Sequence, residues 1–221
     1  MKKLSEYITI NESGVDNLKP ANKEELIDII NQRIEEYGPK CDLNDIDVSR
    51  VKDMSNLFEN SEFNGDISKW DVSRVVDMRY MFWNSKFNGD ISKWDVSSVR
   101  GMNGMFNDSK FNGDLSKWDT SNVRNMEFMF AYSQFNKDIS KWDVSRVERM
   151  SHMFTDSKFN KDISKWNVSR VERMSHMFTD SKFSGDLSKW DVSRVRDMDD
   201  MFVGSPLEDN EPEWYRPGRS I

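Results

Sequence analysis

A chain of 221 residues that is 36% hydrophobic and 32% charged has little apolar mass for one deep core. What it has is unusual in kind, with 14 Phe, 14 Met and 8 Trp where a compact globule leans on Leu, Ile and Val. The net charge of −7 argues against a general nucleic-acid binder, which needs a basic footprint, and the single Cys41 excludes a disulfide framework and a cysteine-rich metal site.

The opening MKKLSEYITINESG carries two lysines, but Ser5, Glu6, Thr9, Asn11 and Glu12 break up any apolar run behind them, so no secretory leader is expected. No later stretch approaches the ~20 apolar residues of a membrane span. Residues 1–19 read as a flexible arm. Residues 20–40 hold the clearest helix: Asn22 and Glu25 have capping-box spacing, Leu26, Ile29, Ile30, Ile34 and Tyr37 share one stripe, and Gly38 with Pro39 ends it. An amphipathic helix here is expected to cap the first of the repeats that follow.

From residue 41 to 205 one sentence is written about seven times. Trp70, Trp94, Trp118, Trp142, Trp166 and Trp190 are spaced by 24, and Phe63, Phe87, Phe111, Phe135, Phe159 and Phe183 keep the same step. Six full copies occupy 63–206, and Leu43, Ile46, Val48, Val51, Met54 and Phe58 mark a degenerate copy before them. A fixed period of this size is the signature of units that bury their apolar faces only against neighbours. Within a copy, Trp70 and Val72 alternate with Lys69, Asp71 and Ser73, which predicts a short strand. Val75, Met78, Met81 and Phe82 fall on one helical face behind Ser73 as N-cap, which predicts a two-turn helix or 3₁₀ segment. SKFNGD turns the chain back. The expected class is therefore α/β, a leucine-rich-repeat-like solenoid with one parallel strand and one short helix per coil. Residues 206–221, where Leu207, Asn210 and Trp214 keep the step, form a decayed last turn and cap, with prolines that discourage edge pairing.

The spacing of Ile67, Trp70, Val72 and Val75 matches LxxLxLxx of leucine-rich repeats, and MFxxSxFNxDISxWDVSxVxxM resembles the BspA-type surface-protein repeat and the mycoplasmal surface-lipoprotein repeat of similar length. The resemblance implies a solenoid of bacterial or phage origin with a role in adhesion or partner binding, and it supplies no catalytic residue. Cys41 follows no apolar stretch and does not fit a lipid-accepting cysteine, so a cytoplasmic or virion-associated protein is expected. The start MKKLSEYITINES also resembles capsid-targeting leaders of phage internal proteins.

Three constellations are candidates for chemistry. The ladder Asp66, Asp90, Asp114, Asp138, Asp162, Asp186 either accepts backbone N–H groups of its own turns or holds calcium with Asn64 and Ser68 as added oxygens. Lys69, Lys93 and Lys117, continued by Lys141, Lys165 and Lys189, run beside Asp71 and Asp95 and their successors on the presumed concave face, as a polar docking surface or as an ion-pair lattice. Residues that break the repeat are more telling. Tyr80 and Phe128 share one position two copies apart with Gly104 between them, and Trp83 and Tyr132 add aromatics nearby, so a notch for a partner's side chain is expected there. His152 and His176 lie in two identical stretches, VSRVERMSHMFTDSKF, so local duplication accounts for the pair without a metal. Each Trp needs an acceptor for its indole N–H if buried. No cofactor is expected. The sequence points to a non-catalytic repeat protein that recognises a protein or a glycan, with a structural or packaged component of a phage particle as the alternative.

Overall fold

In the computed structural model, residues 8–10 and 16–218 are described. The pair β1 (Ile8–Ile10) and β2 (Asp16–Leu18) is antiparallel, with Ile8 opposite Leu18. The rest of the expected arm, 1–7 and 11–15, lies outside the described residues. Leu18 is buried and makes a parallel bridge to Ile46, and the Lys19 ammonium pairs with Asp47, so this segment lies along the first coil. Helix α1 (Lys23–Tyr37) starts where the Asn22 side chain accepts the Glu25 N–H at 2.9 Å. It ends at Gly38 (φ 81°), whose N–H reaches Ile34. Leu26, Ile29 and Ile30 are buried and Ile34 packs against the core. Tyr37 is 58% exposed, off the stripe, with the Arg33 guanidinium over its ring. No helix among the described residues is long and apolar enough to cross a membrane.

Seven coils follow, numbered from residues 39–62 (coil 1) to 183–206 (coil 7). The predicted strand and helix in each coil are not observed. Beyond α1 and the β1–β2 pair the described chain has no regular element, and the strand-type pairings between neighbouring coils are isolated parallel bridges, such as Asp53 to Asp77 to Gly101 and onward to Asp197. The α/β class is thereby corrected to stacked coils of successive turns.

The reason is a five-residue device used three times in coil 2. Its first two turns recur in every coil, while in coils 3, 5 and 6 the third keeps its backbone bond but has Gly101, Arg149 and Arg173 in place of the acceptor. In Asp66-Ile67-Ser68-Lys69-Trp70 the Asp66 carboxylate accepts the Ser68 N–H at 2.9 Å, and the Trp70 N–H donates to the Ile67 carbonyl at 3.2 Å. Asp71 to Val75 repeats it, through Ser73 to Asp71 at 3.1 Å and Val75 to Val72 at 2.9 Å. Asp77 to Met81 repeats it again, through Arg79 to Asp77 at 3.0 Å and Met81 to Met78 at 3.3 Å. A short acidic side chain that binds the amide two residues on competes with both ladder and helix. The apolar spacings read as period two and as a helical face are the second and fifth positions of these turns.

The last turns also spend their amides on the neighbouring coil. The N–H groups of Met78, Tyr80, Phe82 and Asn84 donate to the carbonyls of Gly101, Asn103, Met105 and Asn107 at 2.9–3.0 Å. An α-helix would have used them four residues back. Elsewhere an asparagine ladder ties the coils, with the Asn88 N–H on the Asn64 side chain and the Asn112 N–H on that of Asn88.

Between these walls the side chains stack in columns. Phe82 and Phe106 rings lie 5.6 Å apart and 4° from parallel, and Phe63 with Phe87 and Trp70 with Trp94 follow suit. Flat rings superpose at the coil step, which explains why Phe and Trp replace branched aliphatics in a core so thin. Each indole of the tryptophan column finds its acceptor one coil back, as Trp70 on Leu43 at 2.9 Å and Trp118 on Ile91 at 3.1 Å.

Two outcomes follow from these contacts. Trp118→Phe keeps a ring in the column but removes one of the two donors to the buried Ile91 carbonyl, which retains the Trp94 N–H at 3.2 Å, and chemical denaturation is expected to show a loss of about 1 kcal/mol. The turn carboxylates set the acid limit. In Asp66 and Asp114 the backbone N–H and hydroxyl of the serine two residues on, and in Asp71 and Asp90 that hydroxyl and N–H, hold the carboxyl below its ordinary value of 3.8. A depressed folded pKa gives stabilisation that is complete above the ordinary value, starts to fall as pH approaches 3.8, and is gone below the folded value. Melting temperature should therefore drop steeply on that acid limb. Asp90→Asn, which keeps the acceptor as Asn167 does for the Ser169 N–H at 3.2 Å, should make the limb shallower with little change at neutral pH.

Candidate functional site

The lysine and aspartate rows do different jobs. Asp71 and Asp95 are turn acceptors for Ser73 and Ser97 at 3.1 and 3.0 Å, as Asp66 and its successors are for theirs. Lys69, Lys93 and Lys117 are exposed, and among the described residues no ion pair joins them to either row. The regular acidic ladders are thus explained by turn closure.

The aromatic positions stand on the turn ladder. Tyr80 has φ 56°, Phe128 φ 59° and Tyr132 φ 56°, all in the left-handed region. The equivalents of Tyr80 in other coils are Asn56, Gly104, His152, His176 and Asp200, and those of Tyr132 are Asn60, Asn84, Asp108, Asp156, Asp180 and Gly204, every one at positive φ. Asn, Asp, His and Gly are the residues that tolerate this conformation. A bulky residue there works against a cost of roughly 1–2 kcal/mol. The composition of these two columns was the signal in the sequence for a left-handed turn, and it marks the three aromatics as exceptions to a backbone rule.

Their rings go to different places. A Cβ on Gly104 would lie 2.3 Å from the Tyr80 Cδ1 and Cε1 atoms, so the Tyr80 ring itself lies over the glycine. Tyr80 also meets Trp83, with centroids 5.7 Å apart at 53°. Phe128 likewise lies against the next coil, and so away from Gly104, stacked on His152 at 4.4 Å, and His152 stacks on His176 at 4.6 Å. Trp83 is 37% and Tyr132 51% exposed. The structure therefore sets Tyr80 with Trp83 and Gly104 in one group and Phe128 with the histidines in another, and Tyr132 stands apart in coil 4.

The two imidazoles are parallel within 11°, so their ring nitrogens lie side by side and do not converge on one ion. Burial, and then the neighbouring His176, push the pKa of His152 below its ordinary 6.5. No group of three or more His, Cys, Asp or Glu among the described residues is placed to hold a metal ion.

Stacked coils of 24 residues define a repeat protein. The chain belongs to the family described as "Mycoplasma protein of unknown function, DUF285", whose model matches residues 30–134 and 107–214. No curated protein and no solved structure matches it. The match agrees with the mycoplasmal repeat type in the sequence and does not extend to the BspA-type leucine-rich repeat.

The backbone rule yields a sharp outcome. Tyr132→Asn removes an exposed ring and installs the residue found at Asn60 and Asn84 in the same conformation. Thermal melting is expected to show an unchanged or raised transition, where an ordinary loss of a packed tyrosine would lower it.

Proposed function

We propose that this chain is a non-catalytic recognition module that meets a partner protein through the aromatic turn face of coils 2 to 4, in a bacterial or phage setting and in the cytoplasm or a virion. The observation that carries the reading is the presence of Tyr80, Phe128 and Tyr132 at left-handed positions that other coils fill with Asn, Asp, His or Gly. Residues kept at a backbone cost cluster where a surface is used. Large rings on a rigid stack contribute contact area at small entropic cost, which suits them to anchor an interface. Family membership supports the repeat architecture, and the surface-protein resemblance of the repeat accords with binding rather than catalysis.

The test uses substitutions already present in sister coils. Tyr80→Asn, Trp83→Thr and Tyr132→Asn together copy the residues of Asn56, Thr155 and Asn60, so the turns keep their chemistry. Affinity for a captured and identified protein is expected to fall at least ~tenfold with no drop in melting temperature. Equal capture by the triple variant would sink the proposal, and binding of a glycan array by the wild type alone would replace protein by sugar as the ligand.

A further inference from the structure

The third turn of a coil opens at a position whose side chain ordinarily accepts the amide two residues on. Asp53 takes the Ser55 N–H at 2.8 Å, Asp77 that of Arg79 at 3.0 Å, Asn125 that of Glu127 at 2.8 Å and Asp197 that of Asp199 at 3.4 Å. In coils 5 and 6 the position holds Arg149 and Arg173, side chains that only donate. The N–H groups of Ser151 and Ser175 therefore find no acceptor among the described residues, although Ser151 is buried. The two serine hydroxyls share one hydrogen bond at 3.1 Å, which leaves one hydroxyl hydrogen of the pair unused. Both arginines are exposed, and among the described residues neither guanidinium has a hydrogen bond or an ion pair. The nearby acids are engaged elsewhere: Glu148 pairs with Arg124 at 2.9 Å, Glu172 with Arg196 at 3.8 Å, and Glu127 accepts from the Asn125 side chain at 3.0 Å. Glu127 and Asp197 stand one coil out on either side, so the positive charge is confined to coils 5 and 6.

We propose that the third turns of coils 5 and 6 form a receptor for a doubly charged tetrahedral oxyanion, the phosphate group. Arg149 and Arg173 are joined by a parallel bridge, so they stand side by side at the ~4.8 Å strand spacing. Two unpaired cations that close repel one another, and an anion between them turns the repulsion into two charge-assisted contacts. The backbone supplies the rest of the cradle. An anion oxygen placed where the Asp77 carboxylate sits in coil 2 accepts the Ser151 N–H, and a second accepts the Ser175 N–H one coil on, so the bound group closes both turns from outside. A carboxylate has two oxygens and one charge, enough for one turn, as Asp77 shows. Donors on two successive coils with two guanidinium forks match four oxygens and two charges. The identical stretches of coils 5 and 6 thus do together what one of them could not. Coil 3 marks the contrast, because Gly101 also leaves the Asn103 amide without an acceptor but puts no cation there, and the Arg79 stem comes within 3.2 Å of where a Cβ on Gly101 would lie. The site is separate from the aromatic face of coils 2 to 4 and does not rest on the recognition reading.

Amide NMR of the full chain tests it by titration with inorganic phosphate at constant ionic strength. The Ser151 and Ser175 signals are expected to move saturably while that of Asn103 stays in place, and chloride should move none of them. Phosphate should also raise the melting temperature of the wild type, since it binds only the folded turns. The double substitution Arg149→Asp with Arg173→Asp gives both turns the acceptor that Asp53 and Asp77 supply in coils 1 and 2. It should lose both phosphate responses and, in phosphate-free buffer, melt no lower than the wild type. Arg149→Asn, which copies Asn125, keeps one arginine and should weaken binding at least ~tenfold, so the site stays testable if the double variant fails to fold. O-phosphoserine run beside the free ion separates the two sources of the group: tighter binding assigns the site to an ester, equal or weaker binding to free phosphate, and saturation by either supports it. Unmoved Ser151 and Ser175 signals overturn the proposal, as do an equal response to chloride or an undiminished phosphate response in the substituted chains.

Discussion

The contact on which the rest of this molecule depends joins an aspartate carboxylate to the amide two residues further on. It closes a turn, points the next apolar side chain inward, and leaves the amide of the fifth residue to bind the carbonyl of the second. Two or three such turns per coil, the third closed by its backbone bond alone where Gly101, Arg149 or Arg173 replaces the acceptor, bring the chain back over itself after 24 residues, and the aromatic columns then have a step at which to stack. Read from the apolar spacing alone, the same segment is equally compatible with a strand or a helix. The abundance of Asp and Ser in a chain with so little aliphatic mass is therefore the fold's main instruction, and the core rings respond to it.

The period, the inward residues and the terminal helix were legible in the sequence because they depend on side-chain size and polarity, which a pattern records. Ile67, Trp70, Val72, Val75, Met78, Met81 and Phe82 are all buried as their spacing implies. The local conformation was not legible in the same way. Trp70 with Val72 looks like alternation, and Val75 with Met78 and Met81 looks like a helical face, because a turn closed at the third residue shares its spacing with both. What separates the cases is the acceptor used by each amide, and that depends on Asp66, Asp71 and Asp77 standing one residue ahead of an apolar position.

The candidate surface was half legible. Departures from the repeat pointed to Tyr80, Trp83, Gly104, Phe128 and Tyr132, but their arrangement depends on backbone angles. With Tyr80 lying on Gly104 and Phe128 leaning on His152, the group acts as two ring clusters on either side of a small-residue coil. The left-handed angles also change what their presence means. At a neutral surface position an aromatic is unremarkable drift; at one that favours Asn or Gly it is kept against a bias.

The amides of the last turns all point the same way, from each coil to the next, and this gives the stack a direction. At one end the carbonyls of Asp53, Ser55, Leu57 and Glu59 accept no backbone amide among the described residues; at the other the N–H groups of Met198, Asp200 and Phe202 meet no backbone carbonyl among them. The two ends are a socket and a plug of one kind, so copies joined through them would run head to tail, into an open filament wherever the rotation between copies fails to close a ring. Each end is fitted against that outcome with its own chemistry. The Lys23 ammonium of α1 sits by Ser55 at the carbonyl end, while at the amide end the Glu208 carboxylate takes the Gly204 N–H and Tyr215 lays its ring edge-on to Phe202. Polarity of this sort turns a repetitive chain into a rod with distinguishable poles, in which growth and its arrest are both questions of which pole is covered.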